Sequence, residues 1–149
     1  MNYPQRFSDA IDKLYHAFQS NKLIPECACQ CAVGTILDRR DYWKHFSNDH
    51  GTIQLNYIGT VHQKFGRRYN GYTPLELLRI EAAFLKGCGY KVPLNHKNNR
   101  PQVNINNDEL FCGLTAVVQE LCNIERLPNV MDCKVLFAYE KNVTSPAHA

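Results

Sequence analysis

No apolar run in this sequence approaches the roughly 20 residues that a membrane-spanning helix needs. The densest stretches, 75–85 and 110–121, are interrupted by charges at helical spacing. The opening MNYPQRFSDAIDK lacks the apolar core of a secretory signal. Together these absences lead to the expectation of a soluble, cytoplasmic protein with no membrane partner. Internal repeats and low-complexity tracts are missing too. So is a strong excess of charge of either sign, since the net charge is only +3. That value by itself points neither to nucleic acid nor to an acidic surface.

Recognisable catalytic signatures are also lacking. The sequence contains no H-E-x-x-H, G-x-S-x-G, P-loop or G-x-G-x-x-G. It has no C-x-x-C pair and neither zinc-finger nor ferredoxin spacing. Carboxylates at productive spacing are not evident, and His45 and His50 are poorly spaced to chelate from one helix. No catalytic residue can be assigned on this basis. A Cys–His nucleophilic pair stays open, because such partners meet in space and not in sequence.

What is present suits one compact domain. A chain of 149 residues, 44% of them hydrophobic, can bury a sizeable core without a disulfide or metal to hold it. The periodicity predicts an all-α bundle of about five or six helices in one domain over 1–140, followed by a flexible tail, 141–149. Phe7, Ile11, Leu14, Tyr15 and Phe18 recur at three- and four-residue steps. They predict an amphipathic helix over 6–20, with Ser8 as a candidate cap and Asn21 as its stop. Pro25 and Glu26 suit the first turn of a second helix over 25–37, at the cost of about 1 kcal/mol for Gly34 within it. Residues 38–51 read as a loop carrying a short helical turn, with Tyr42, Trp43 and Phe46 spaced to cover a core. Leu55, Ile58, Gly59, His62 and Phe65 fit a short helix, with a strand as the alternative because Thr52, Ile53 and Ile58 are β-branched.

Thr73-Pro74-Leu75-Glu76 combines a cap, an N1 proline and a capping-box glutamate. Leu77, Ile80, Glu81 and Phe84 follow one side of the helix it opens. Glu81 is expected at that helix's polar edge. Gly87 and Gly89 end it. Residues 91–106 read as a long exposed connection. Asn107 or Asp108 then opens a helix bearing Leu110, Leu114, Val117 and Leu121, and a last short helix is expected over 131–139.

Seven cysteines cannot all pair internally. Three of them fall in Cys27-Ala28-Cys29-Gln30-Cys31. Thiolates favour zinc, copper(I) or iron–sulfur clusters. On a helix, Cys27 and Cys31 share a face, whereas Cys29 lies about 200° away. The candidate metal ligands are therefore Cys27 and Cys31, completed by Cys88 and Cys122 from the ends of later helices. Cys112, Cys133, His16 and His62 are further options. Two other readings stand beside this one: cysteines that only pack in the core, and a thiol activated in the first turn of a helix, as Cys27 would be.

Cations and rings also interleave, in Arg39-Arg40-Asp41-Tyr42-Trp43-Lys44-His45-Phe46 and in His62-Gln63-Lys64-Phe65-Gly66-Arg67-Arg68-Tyr69. Single-strand nucleic-acid binders use such mixtures. The low net charge and the absence of a known motif weigh against nucleic acid here. If the cysteines only pack, Tyr42, Trp43, Arg67 and Arg68 become the candidate contacts for a protein partner.

Pro25-Glu26-Cys27, Cys31-Ala32-Val33-Gly34, Trp43-Lys44-His45-Phe46 and Asn70-Gly71-Tyr72-Thr73-Pro74-Leu75-Glu76-Leu77-Leu78 carry a resemblance. To about Phe137, the chain resembles a family of short bacterial cytosolic proteins that often bear the name of a component of the sodium-translocating NADH:quinone reductase. The resemblance implies a shared scaffold. It does not carry over a flavin, NADH or quinone site, because no motif for one is present. The sequence thus leads to the expectation of a small thiol-rich protein that binds zinc, another soft metal or an iron–sulfur cluster, with a redox or electron-transfer role. The alternative is a non-enzymatic interaction module.

Overall fold

The computed structural model describes residues 4–94 and 105–127. They form an all-α bundle around one hydrophobic core. Its helices are α1 (Gln5–Gln19), α2 (Ala32–Ile36), α3 (Tyr57–Lys64), α4 (Pro74–Gly87) and α5 (Asn107–Glu125), with a 3₁₀ turn, Tyr42–Phe46, between α2 and α3. Among the described residues no β-strand forms; the one β feature is an isolated bridge between Tyr69 and Tyr72. No described helix is long and apolar enough to cross a membrane. The helix expected over 131–139 and the tail 141–149 lie outside the described residues, as does most of the connection after residue 94.

α1 buries Phe7, Ile11 and Leu14 of the predicted stripe with Ala10 beside them, while Tyr15 and Phe18 are half-buried. Ser8 is not its cap. The helix starts after Pro4, and Ser8 N already donates to Pro4 O. Asn21, at φ +58°, turns the chain out of the helix.

The helix expected over 25–37 forms only at its far end. Residues 25–31 fold as consecutive turns, with Gln30 N and Cys31 N both donating to Cys27 O. Cys31 is the extended residue that opens α2. Gly34 supplies a physical reason. A Cβ there would overlap Ala28 O and stand 2.7 Å from Cys29 Cα. The cysteine turn therefore packs directly on the helix backbone, and only glycine leaves it room.

α4 is the hub of the bundle. Thr73 N donates to Glu76 Oε1 at 2.9 Å and Glu76 N donates to Thr73 Oγ1 at 3.3 Å, completing the expected capping box. The helix buries Leu77, Leu78, Ile80, Glu81, Ala82, Phe84 and Leu85, which is most of its circumference. It packs against α5, α2, α3 and the 3₁₀ turn, and α1 closes against α2 and α5. The cap of α5 is Asn106, which accepts from Glu109 N at 2.9 Å, so the helix begins at the earlier of the two expected positions.

Glycines set the α4–α5 spacing. A Cβ on Gly87 would come within 2.8 Å of Gly113 Cα and Cys112 O. A Cβ on Gly113 would overlap Cys88 Sγ and lie 2.9 Å from Phe84 O. On the far side of the bundle Arg6 ties three elements. Its guanidinium reaches Glu125 of α5, Glu76 of α4 and Gly71 O, and it lies 4.8 Å from the Tyr72 ring centroid.

Gly113→Ala should destabilise the chain by about 1–3 kcal/mol, since overpacking outweighs the gain of about 1 kcal/mol in helix propensity. Urea denaturation measures this. An unchanged or raised midpoint would show that the two helices do not meet backbone to backbone at this point.

Candidate metal centre

Three donor groups meet beside the start of α2: the Cys31 thiol, the His50 imidazole and the Glu81 carboxylate. One ligand atom from each lies within 4.8 Å of the other two. Among the described residues this is the single cluster of three or more histidine, cysteine or acidic donors so arranged.

Each donor is positioned by a different piece of chain. Glu81 projects from the buried side of α4, between Leu77, Ile80 and Phe84, and is 0% exposed. This corrects its expected place at the polar edge. Its Oε1 accepts from Val33 N in the first turn of α2, at 3.2 Å. Its Oε2 lies 2.6 Å from His50 Nε2, the imidazole N–H donating when the acid is ionised. His50 comes from the loop between the 3₁₀ turn and α3. Its ring stands edge-on to Trp43, 5.5 Å between centroids, and its backbone O accepts from Leu94 N at 2.9 Å. Cys31 is 0% exposed, and its Sγ donates weakly to Ala28 O. Burial pushes its thiol well above the ordinary range, and the nearby Glu81 carboxylate adds to that.

The sites expected from the sequence are not assembled as expected. Cys31 belongs to the cluster, while Cys27, Cys88 and Cys122 do not. Cys27 faces Cys29 instead, with 3.2 Å between the sulfurs, and both are half-buried. The reason is the turn: residues 27–31 are not a helix, so the face shared by Cys27 and Cys31 does not exist. The contact with Cys29 draws the Cys27 thiol below its ordinary value and lifts that of Cys29. Cys88 is buried at the end of α4 against Gly113, and Cys122 is buried on α5. Cys112 is exposed. Cys133 lies outside the described residues.

The interaction candidates also separate. Trp43 is 1% exposed, with Nε1 donating to Ala28 O at 2.9 Å, so it offers no surface to a partner. Tyr42 is half-buried against Tyr69. Arg67 and Arg68 are exposed, and Arg68 donates to Gly71 O. A surface hollow of about 380 Å³ lies alongside, lined by Ala28, Trp43, Lys44, His45, Asp49 and His50 among others. His50, whose side chain is 21% exposed, belongs both to this hollow and to the buried cluster.

Reading the sequence alone misses His50 and Glu81. For Glu81 a signal exists, because an acid at position 81 falls in the stripe of Leu77, Ile80 and Phe84. Nothing local marks His50. Comparison with protein-family models, with curated proteins and with solved structures finds no match.

The buried thiols outside the cluster give a pH dependence. Burial lifts Cys88 from an ordinary 9.0 to about 12 and Cys122 to about 11. Burial raises the Tyr72 hydroxyl in the same direction. In the unfolded chain these thiols ionise near 9, while in the folded chain they stay protonated. Their contribution is intact below about pH 9 and is lost as pH rises toward the folded values. The urea midpoint should therefore fall from about pH 9 upward. Cys88→Ala should lower stability below about pH 9 and flatten the decline above it. An equally steep decline in the variant would contradict the role given to the thiol.

Proposed function

We propose that this chain binds one divalent metal ion of the zinc class through Cys31 Sγ, His50 Nε2 and a Glu81 carboxylate oxygen. The observation that carries this reading is the meeting of thiol, imidazole and carboxylate, from three distant segments, in a core that is otherwise largely hydrocarbon. Zinc takes this mixture of S, N and O donors, with bonds of about 2.0–2.3 Å. Tetrahedral donors at those lengths stand about 3.3–3.8 Å apart. Donors already within 4.8 Å of one another need only a small side-chain adjustment to close on an ion.

The second oxygen of Glu81 supports the same reading. Its bond from Val33 N fixes the carboxylate while the other oxygen faces His50. Ligands held by a further layer of hydrogen bonds bind metals more tightly. Three protein ligands leave zinc a further position, the arrangement of sites that do more than hold a fold together. The hollow bordered by His50 is where a water or small ligand would reach it. An iron–sulfur cluster fits less well, since Cys31 is the one thiol in the group and such clusters rest mainly on thiolates.

The test is a zinc titration of the reduced chain against a competing chelator. One ion per chain is expected. Cys31→Ser and His50→Ala should each weaken binding by about 100-fold or more, and Glu81→Gln by about 10–100-fold. Circular dichroism of each variant separates lost ligation from lost folding, and His50→Ala needs that check as much as the others because it takes a partner from the buried Glu81 carboxylate. Stoichiometric binding unaffected by His50→Ala and Cys31→Ser would sink the assignment. A folded wild-type chain that takes up no zinc would reduce the cluster to a hydrogen-bonded core pair beside a packed thiol.

A further inference from the structure

Cys27 and Cys29 are not explained by the metal centre. Their sulfurs lie 3.2 Å apart, both side chains are partly exposed, and neither belongs to the Cys31–His50–Glu81 group. We propose that Cys27 and Cys29 are a redox-active dithiol that closes to an internal disulfide by exchange with a small disulfide of the glutathione class.

Geometry supports this in three ways. Two residues separated by one other project to different sides of an α-helix, but the turn over 25–31 brings these two side chains together. The turn is held by Ile24 N donating to Gln30 O at 2.8 Å, Gln30 N to Cys27 O at 2.9 Å and Cys31 N to Cys27 O at 2.7 Å. The residue between the two cysteines is fixed as well. Ala28 O accepts from Trp43 Nε1 at 2.9 Å and from Cys31 Sγ at 3.5 Å, and Gly34 packs beneath it. The two sulfurs are therefore pre-positioned, which favours ring closure over reaction with a second external thiol. Their partial exposure lets a small disulfide reach them, unlike the fully buried Cys31, Cys88 and Cys122.

The exchange balances without any further reactant. The Cys27 thiolate attacks one sulfur of the small disulfide, whose S–S bond breaks. A mixed disulfide forms and one small thiolate leaves, taking up the proton that Cys27 gave up. The Cys29 sulfur then attacks the Cys27 sulfur and displaces the second small thiol, which takes the Cys29 proton. Two electrons pass from the protein pair to the small disulfide, giving one internal bridge and two small thiols. Excess small thiol runs the sequence backwards.

The experiment uses the reduced full chain, with a chelator present so that metal at Cys31 plays no part. The chain is treated with oxidised glutathione, quenched with an alkylating agent in denaturant so that buried thiols are labelled too, and mapped by peptide mass spectrometry. The wild type should accumulate a Cys27–Cys29 bridge with Cys31 still alkylated, and reduced glutathione should reopen it. Cys29→Ser should stop at a mixed disulfide on Cys27 that persists at least about tenfold longer than in the wild type. The proposal is overturned if Cys27 and Cys29 of the wild type stay fully alkylated or stop at glutathione adducts, whatever happens at the exposed Cys112. It is equally overturned if Cys29→Ser bridges Cys27 to Cys31 as readily as the wild type bridges Cys27 to Cys29. Circular dichroism of the variant confirms that it is folded. Because zinc is excluded, failure of the metal reading leaves this result unaffected, and the reverse also holds.

Discussion

A carboxylate at 0% exposure is the constraint around which this fold is arranged. Leaving a buried acid unpaired costs several kcal/mol, so it must be matched by groups that reach it. Glu81 is matched by Val33 N at the start of α2 and by His50 Nε2 from the loop after the 3₁₀ turn. Those two bonds fix where α2 begins and where the loop returns to the core. Once they are made, Cys31 is carried to the same place, since it immediately precedes α2. Polar satisfaction and the gathering of candidate ligands are one event in this core.

The rest of the bundle makes that event possible. α4 is buried on most sides, so an acid on its inner face cannot turn to water. Gly34 lets the cysteine turn lie on α2, and Trp43 ties Ala28 O within that turn. The Trp43 ring then stands against His50, so one aromatic side chain restrains both the turn and the imidazole. On the far side, Arg6 joins α1, α4 and α5 by charge-assisted bonds to Glu76 and Glu125. The bundle is thus closed by hydrocarbon packing and pinned by two polar clusters, one of which is rich in metal donors.

Much of the fold is legible in the sequence. The capping box at Thr73–Glu76 and the stripes of α1, α4 and α5 are local patterns, and local patterns are where reading by periodicity succeeds. The second helix is overextended in that reading because Gly34 looks like a tolerated flaw in a helix. Its purpose is a close approach from Ala28 and Cys29, which no local rule reveals. That error carries into the site. With a helix assumed over 25–37, Cys27 and Cys31 share a face and Cys29 is discarded; with the turn in place, Cys27 meets Cys29 and Cys31 goes to Glu81. Trp43 is spaced with Tyr42 and Phe46 to cover a core, and its indole is inside; what fails is its alternative use as a contact for a partner. His50 cannot be foreseen, since its partner is 31 residues away and joined to it only by tertiary structure.

In the proposed centre one thiolate, one imidazole and one carboxylate share a single ion. Substituting cobalt(II) for zinc reads this directly, because cobalt reports both its geometry and its sulfur ligands in the visible and near-ultraviolet spectrum. One equivalent of cobalt is expected in a four- or five-coordinate field, with a charge-transfer band of the strength of a single cobalt–sulfur bond. A spectrum of hexa-aqua cobalt, or one with the intensity of several thiolates, would contradict it.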